Sequence, residues 1–261
     1  MEATLDYETK HWKTGHDYIA GVDEVGRGCL AGPVVAVAVI LPIHDRVVCN
    51  ILRTAKVRDS KKVSHRQRQA LLPLIKEIAL GVAIGAASAQ EIDTYGIVTA
   101  YRLAMGRAIQ ALPCEPTALL IDGPSSGSFF SVKKGLMSDD EILQGQNLTS
   151  DDDMIISSAF NQANRSLPPV QENIIKGDRV SLSIASAAIM AKVYRDSLMV
   201  EADQQFPGYG FASHKGYGTA KHLKALRTLG PTSIHRMTWK PLRDLKIVQM
   251  ALPLEHSNDA L

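Results

Sequence analysis

Two adjacent carboxylates, Asp23 and Glu24, close an apolar run that begins at Ile19, and a third, Asp122, closes a second run over Thr117–Ile121. An acid at the end of a buried strand costs stability unless it is paired or binds a cation. Hydrolysis of a phosphodiester needs a nucleophilic hydroxide and relief of the charge that builds on phosphorus and on the leaving oxygen. Two divalent cations held close together supply both, and hard cations take oxygen ligands. Strand-end acids at Asp23 and Asp122, with Glu24 beside the first, are what such a centre requires once their strands are neighbours. Directly behind the first pair come Gly26, Arg27 and Gly28. Glycines on either side of an arginine let backbone N–H groups approach a ligand closely, with a fork of donors beside them. The stretch therefore proposes a carboxylate metal centre next to a cradle for a sugar–phosphate chain.

The surrounding elements must bring these groups together. Ile19–Asp23 and Val34–Leu41 read as two neighbouring antiparallel strands joined by a short connection. Ser64 with Gln67 forms a capping box for a helix striped by Leu71, Leu74, Ile75 and Ile78, with Pro73 as a potential kink. Leu80–Ala87 reads as a third strand. Ser88 caps a short helix that Gly96 breaks, and a longer helix covers Ile97–Leu112. Thr117–Asp122 and Gln171–Lys176 are the fourth and fifth strands. A long small-residue helix, capped by Ser181 or Ser183, runs to about Gln205. Phe206–Thr219 reads as a Gly/aromatic loop and Ala220–Leu229 as a helix ended by Gly230-Pro231. A meander followed by strand–helix alternation is an α/β arrangement.

The chain has 261 residues, enough for one substantial core. A formal net charge of +2 does not announce a nucleic-acid binder, so any electrostatic footprint is local. Candidates are Arg58, Lys61 and Lys62 beside Ser60, and Lys215, Lys221, His222 and Lys224 further on. Such groups give affinity and salt dependence, not sequence readout. Cys29, Cys49 and Cys114 make neither a zinc spacing nor a disulfide framework, which fits a reducing compartment, and Cys29 reads as a packing residue. With no secretory or membrane-spanning run, the expectation is a cytoplasmic protein. Residues 1–17 read as a flexible leader, 18–242 as the catalytic domain, 124–167 as a mobile polar insertion, and 243–261 as a tail whose apolar stretch docks on the body or holds a partner. Asp151–Asp153 reads as a solvated run, and Asp196 as a helical ion-pair partner.

The chain resembles the type 2 ribonuclease H family, ribonuclease HII. The resemblance lies in DEVGRGCLAGP at Asp23–Pro33, RDSKK at Arg58–Lys62, LLIDG at Leu119–Gly123 and IIKGD at Ile174–Asp178. It continues in IASAAIMAKVYRD at Ile184–Asp196, HKGYGT at His214–Thr219 and HRMTWKPL at His235–Leu242. It implies a ribonuclease H-like fold, with a central mixed five-stranded sheet flanked by helices and further helices at the C-terminus. It implies Asp178 as the fourth acid beside Asp23, Glu24 and Asp122, all four catalytic and ligands to two Mg²⁺ or Mn²⁺ ions. Gly26, Arg27 and Gly28 would read the 2′-hydroxyl, Lys61 and Lys62 would contact phosphate, and Tyr217 would stack on the next sugar. The expected partners are RNA–DNA hybrids and duplex DNA containing ribonucleotides, bound by a monomer. The expected reaction is endonucleolytic, cutting hybrid RNA and incising 5′ to embedded ribonucleotides to leave 5′-phosphate and 3′-hydroxyl ends. Two other readings are a DNA nuclease or resolvase on the same fold, and a hybrid-binding protein that has lost its chemistry.

Overall fold

A computed structural model describes residues 2–123 and 170–244 of the protein. The insertion expected at 124–167 and nearly all of the tail lie outside the described residues. The sheet is built from β1 (Ile19–Val25), β2 (Val34–Ile40), β3 (Gly81–Ala87), β4 (Ala118–Asp122) and β5 (Val170–Ile174), in the order β3-β2-β1-β4-β5. The first three strands form the antiparallel meander, and β4 and β5 add in parallel on the far side of β1. The expected mixed five-stranded sheet is present, with β1 at its centre. Pairing of Val22 with Ile121 aligns the ends of β1 and β4, which brings their terminal acids to one edge of the sheet.

Side chains alternate across a strand, and β1 shows what that does. Ala20 and Val22 pack on one face with Leu119, Ile121 and helix α4 (Ala89–Gln110). Ile19 packs on the other with Leu120 and the 24-residue helix α5 (Leu182–Gln205). The α5 helix carries Ala185, Ala187, Ala188 and Ala191, small enough for its backbone to lie close to the sheet. Helix α3 (His65–Ile78) has the Ser64/Gln67 capping box and runs on through Pro73. At Gly96 (φ 77°, ψ 162°) the backbone leaves helical geometry, so the expected break separates the short first segment of α4 from the longer one that follows. The segment Phe206–Thr219 is more structured than a loop. It contains the short helix α6 (Phe211–His214) and buries Tyr209 and Phe211 before α7 (Ala220–Leu229). Helix α2 (Arg46–Thr54), not expected above, packs Leu52 into the core.

The loose leader expected over residues 1–17 is corrected. Asp6–Trp12 form helix α1, and Glu8 is fully buried. One oxygen of Glu8 accepts from Ser181 Oγ (2.7 Å), Ser183 Oγ (2.6 Å) and Ser183 N–H (3.0 Å) at the N-terminus of α5. A carboxylate there satisfies orphan donors and complements the helix dipole. Burial pushes the Glu8 pKa up and the serine donors oppose that push. We expect Glu8→Ala to destabilise by about 3 kcal/mol, because three buried donors lose their acceptor, and Glu8→Gln to cost under half of that. The two urea-unfolding midpoints check this. Equal midpoints for Glu8→Ala and the parent would refute it.

Candidate active site

At the C-terminal ends of β1 and β4 the sheet opens into a cleft. Asp23, Glu24, Asp122 and Asp178 all line it, together with Gly26, Arg27, Gly28, Lys61 and Tyr217. Lys62, predicted to stand beside Lys61, is exposed and does not line the cleft. By the alternation of β1, Asp23 lies on the α5 side of the sheet and Glu24 on the α4 side. Glu24 pairs with Arg27 (3.1 Å), whose guanidinium sits over the Tyr101 ring of α4 at 4.4 Å. Asp122 ends β4 on the α5 side and accepts from Gly177 N–H (2.7 Å). That bond ties it to the short 3₁₀ turn Gly177–Arg179 that presents Asp178.

The charges in this cleft oppose one another. Burial pushes Asp23 well above the usual carboxylate range, and the neighbouring Glu24, Asp122 and Asp178 charges add to the push. Asp178 is raised to about 6, by burial first and then by Asp122 and Asp59. Burial also raises Asp122, against the Gly177 N–H, Lys61 and Arg27. Glu24 is raised by burial, with Arg27 opposing. Like charges crowded into a half-buried site call for a cation. No three acids among the described residues yet close on one point as coordinating ligands would. Each of Asp23, Glu24 and Asp122 has one oxygen committed to a protein donor. The second oxygen of Glu24, Oε2, is buried without a hydrogen-bond partner. The donor set, all hard oxygen, and this orphaned atom fit a divalent cation.

The loop behind the acids is held from within. Gly26 has φ +97°, and a Cβ there would run into the Arg195 side chain. Arg236 donates to the carbonyls of Gly26 (2.6 Å), Arg27 (2.8 Å) and Gly32 (2.9 Å). Arg195 donates to those of Pro33 (2.9 Å), Ala31 (3.1 Å) and Lys215 (2.9 Å). Both arginines are fully buried. Carbonyls drawn inward leave the other side of the loop for a ligand, and at Gly28 the space a Cβ would occupy is open. Leu30 N–H donates to Gly216 O (2.8 Å), so this loop and the Tyr217 segment are laid side by side. Tyr217 itself is exposed at the cleft.

The profile of the family described as Ribonuclease HII matches residues 20–137 and 131–242. The chain belongs to the ribonuclease HII family. A ribonuclease HII from Herpetosiphon aurantiacus is 40% identical over 242 residues, 93% of this chain and 98% of that one. Among solved structures, the ribonuclease H2 of Pyrococcus horikoshii superimposes with a TM-score of 0.65 at 20% identity, covering 90% of this chain and 100% of the other. Bst-RNase HIII in complex with Mn²⁺ gives a TM-score of 0.56 at 17% identity, covering 88% and 70%. Family membership makes the protein a ribonuclease H, a divalent-metal-dependent hydrolase acting on RNA–DNA hybrids.

Several residues around this ribonuclease H cleft were not singled out from sequence. Arg68 and Lys192 line it. Arg68 donates to the carbonyls of Ser60 (2.8 Å) and Val63 (2.5 Å), which shapes the turn carrying Lys61. Asp59 caps that turn through Lys61 N–H (3.0 Å) and pairs with Arg179 (3.2 Å) next to Asp178. Asp196 pairs with Lys192 at 2.7 Å, the helical ion pair expected of it. Arg195 and Arg236 stand inside matched motifs, yet only the fold shows which carbonyls they hold. Cys29 is buried, as a packing residue is.

Proposed function

We propose that this ribonuclease H cuts the RNA strand of hybrids and also incises duplex DNA on the 5′ side of a single ribonucleotide, leaving 5′-phosphate and 3′-hydroxyl ends. The observation that carries the reading is the meeting, on one cleft, of acids from β1, β4 and the turn after β5 with the exposed side of the Gly26–Gly28 loop. Asp23, Glu24, Asp122 and Asp178 would hold two divalent cations, Mg²⁺ or Mn²⁺. Bound there, the cations would supply a nucleophilic hydroxide and neutralise charge on the leaving 3′-oxygen.

The remaining work falls to the chain. Backbone amides of Gly26, Arg27 and Gly28 donate to the 2′-hydroxyl, the group that separates RNA from DNA at a given position. Tyr217 lies against the next sugar and senses the RNA-to-DNA step. Lys61 contacts a phosphate at the cleft, with Lys62 as an outer contact. The acting species is a monomer. The tail, residues 243–261, would dock on the body or hold a partner through its apolar stretch.

A DNA duplex with one ribonucleotide, assayed with Mg²⁺, with Mn²⁺ and with EDTA beside an all-DNA control, tests this reading. Incision 5′ to the ribonucleotide, lost with EDTA and absent in the control, is the expected result. Equal cutting of the all-DNA duplex would replace it with the DNA-nuclease reading. Binding of hybrid without any cut would replace it with the binding-protein reading.

A further inference from the structure

Beneath the Tyr217 segment lies a cluster of three buried histidines, His214, His222 and His235, around the ring of Phe211. None of them is used in the chemistry above, and His222, read from sequence as part of a basic group with Lys215, Lys221 and Lys224, is corrected to a fully buried ring. Buried histidines are commonly just satisfied core residues, and His214 fits that description. Its Nδ1 accepts from Gly216 N–H (3.2 Å) and its Nε2 meets the Tyr209 carbonyl (2.9 Å). The other two form a chain with a direction.

Thr232 N–H donates to His235 Nδ1 at 2.8 Å. A backbone amide can only donate, so this nitrogen is bare, and the neutral ring carries its proton on Nε2. That Nε2 lies 3.0 Å from His222 Nε2. Two ring nitrogens at this distance need one proton between them, and His235 supplies it. His222 therefore carries its own proton on Nδ1, which lies 2.9 Å from the Tyr217 carbonyl. Each assignment follows from the one before, and no other neutral arrangement satisfies all three contacts. Both rings are held neutral. Burial pulls His235 down to about 4, helped by the cost of placing two positive charges side by side with His222, and burial lowers His222 as well.

We propose that His235 and His222 form a single-file hydrogen-bond relay that fixes the Tyr217 backbone and are positioning residues for recognition of the RNA-to-DNA step. The relay starts at Thr232 and ends at the carbonyl of Tyr217, the one aromatic residue among the described residues that lines the cleft. It leaves the acids untouched, so its loss acts on recognition and not on hydrolysis as such. The role, though not the relay itself, rests on the assignment of Tyr217 made above.

The relay is tested without activity by long-range ¹H–¹⁵N correlation NMR on uniformly labelled protein. His235 should appear as the Nε2–H tautomer and His222 as the Nδ1–H tautomer. His222 found as Nε2–H overturns the relay. Its role is tested by the ratio of kcat/KM on a single-ribonucleotide duplex to kcat/KM on a uniform hybrid. His222→Phe keeps the ring packing and removes the donor, and should lower that ratio roughly tenfold. His222→Asn, which can still present an N–H towards the carbonyl, should retain most of it. In a Tyr217→Ala background His222→Phe should add nothing. Equal losses on both substrates would mean a purely structural role and overturn the proposal. If Tyr217→Ala leaves the ratio unchanged while the tautomers are as assigned, the reading of Tyr217 fails, and the positioning role with it.

Discussion

Replacing Asp122 with asparagine is expected to lower hybrid cleavage by roughly a thousandfold or more at saturating Mg²⁺, while making the metal-free protein more stable. Loss of one charged ligand from a divalent-cation site removes several kcal/mol of transition-state stabilisation. An asparagine oxygen still accepts from Gly177 N–H, so the turn carrying Asp178 stays in place. The stability gain has a definite sign. Asp178 is raised to about 6 and Asp23 well above its ordinary value, partly by the Asp122 charge. A carboxyl whose folded pKa is raised gives its most favourable contribution below its unfolded pKa, near 4, and loses it as pH rises through the folded value, about 6 for Asp178. The metal-free parent should thus lose stability between about pH 4 and pH 7, and Asp122→Asn should lose less. For Asp178, discounted for the open side of the cleft, the loss is roughly 1–2 kcal/mol. Unfolding in urea with EDTA at pH 5 and pH 8 measures both proteins, and Mn²⁺ should restore the parent at pH 8. Full hydrolytic activity in Asp122→Asn would remove the metal-centre reading altogether.

The second large effect is expected at Gly21. A Cβ there would collide with the backbone of Ser183 and Ile184. These are main-chain atoms in the first turn of a 24-residue helix, and they cannot swing aside. Gly21→Ala must push α5 off the central strand, and Ser183 is also one of the donors on Glu8. Overpacking of this kind costs about 3 kcal/mol or more. A urea midpoint within experimental scatter of the parent would show that the helix stands further from β1 than described. Ala20→Gly, one residue earlier and on the other face, is the control; it makes a small cavity and no collision.

What could be read along the chain was whatever local rules govern. The capping box at Ser64, the cap at Ser88 and the stop at Gly230 depend on residues a few positions apart, and the structure has them where the residue types put them, whereas β1 runs two residues past Asp23 and β5 ends two residues before Lys176. Asp23 and Asp122 were legible because an acid at the end of an apolar run violates a burial rule. Asp178 violates none; in sequence it is an ordinary loop acid, and only the resemblance to ribonuclease HII pointed to it. The rest depends on long-range partners. Residues 1–17 look polar and loose because the reason for burying Glu8 lies 173 to 175 residues away, at Ser181 and Ser183. Arg195 and Arg236 look like surface charges until the carbonyls they serve are brought to them. Lys61 and Lys62 are adjacent in sequence, but the 3₁₀ turn sends only one to the cleft.

The bond from Arg236 to the Gly26 carbonyl joins positions 210 residues apart. The Gly26–Gly28 loop is therefore held by a residue synthesised long after it. A growing chain that has already formed β1, β4 and their acids still lacks the guanidinium that fixes this loop and the segment that presents Tyr217. The loop geometry described here is thus complete only once translation has passed Arg236.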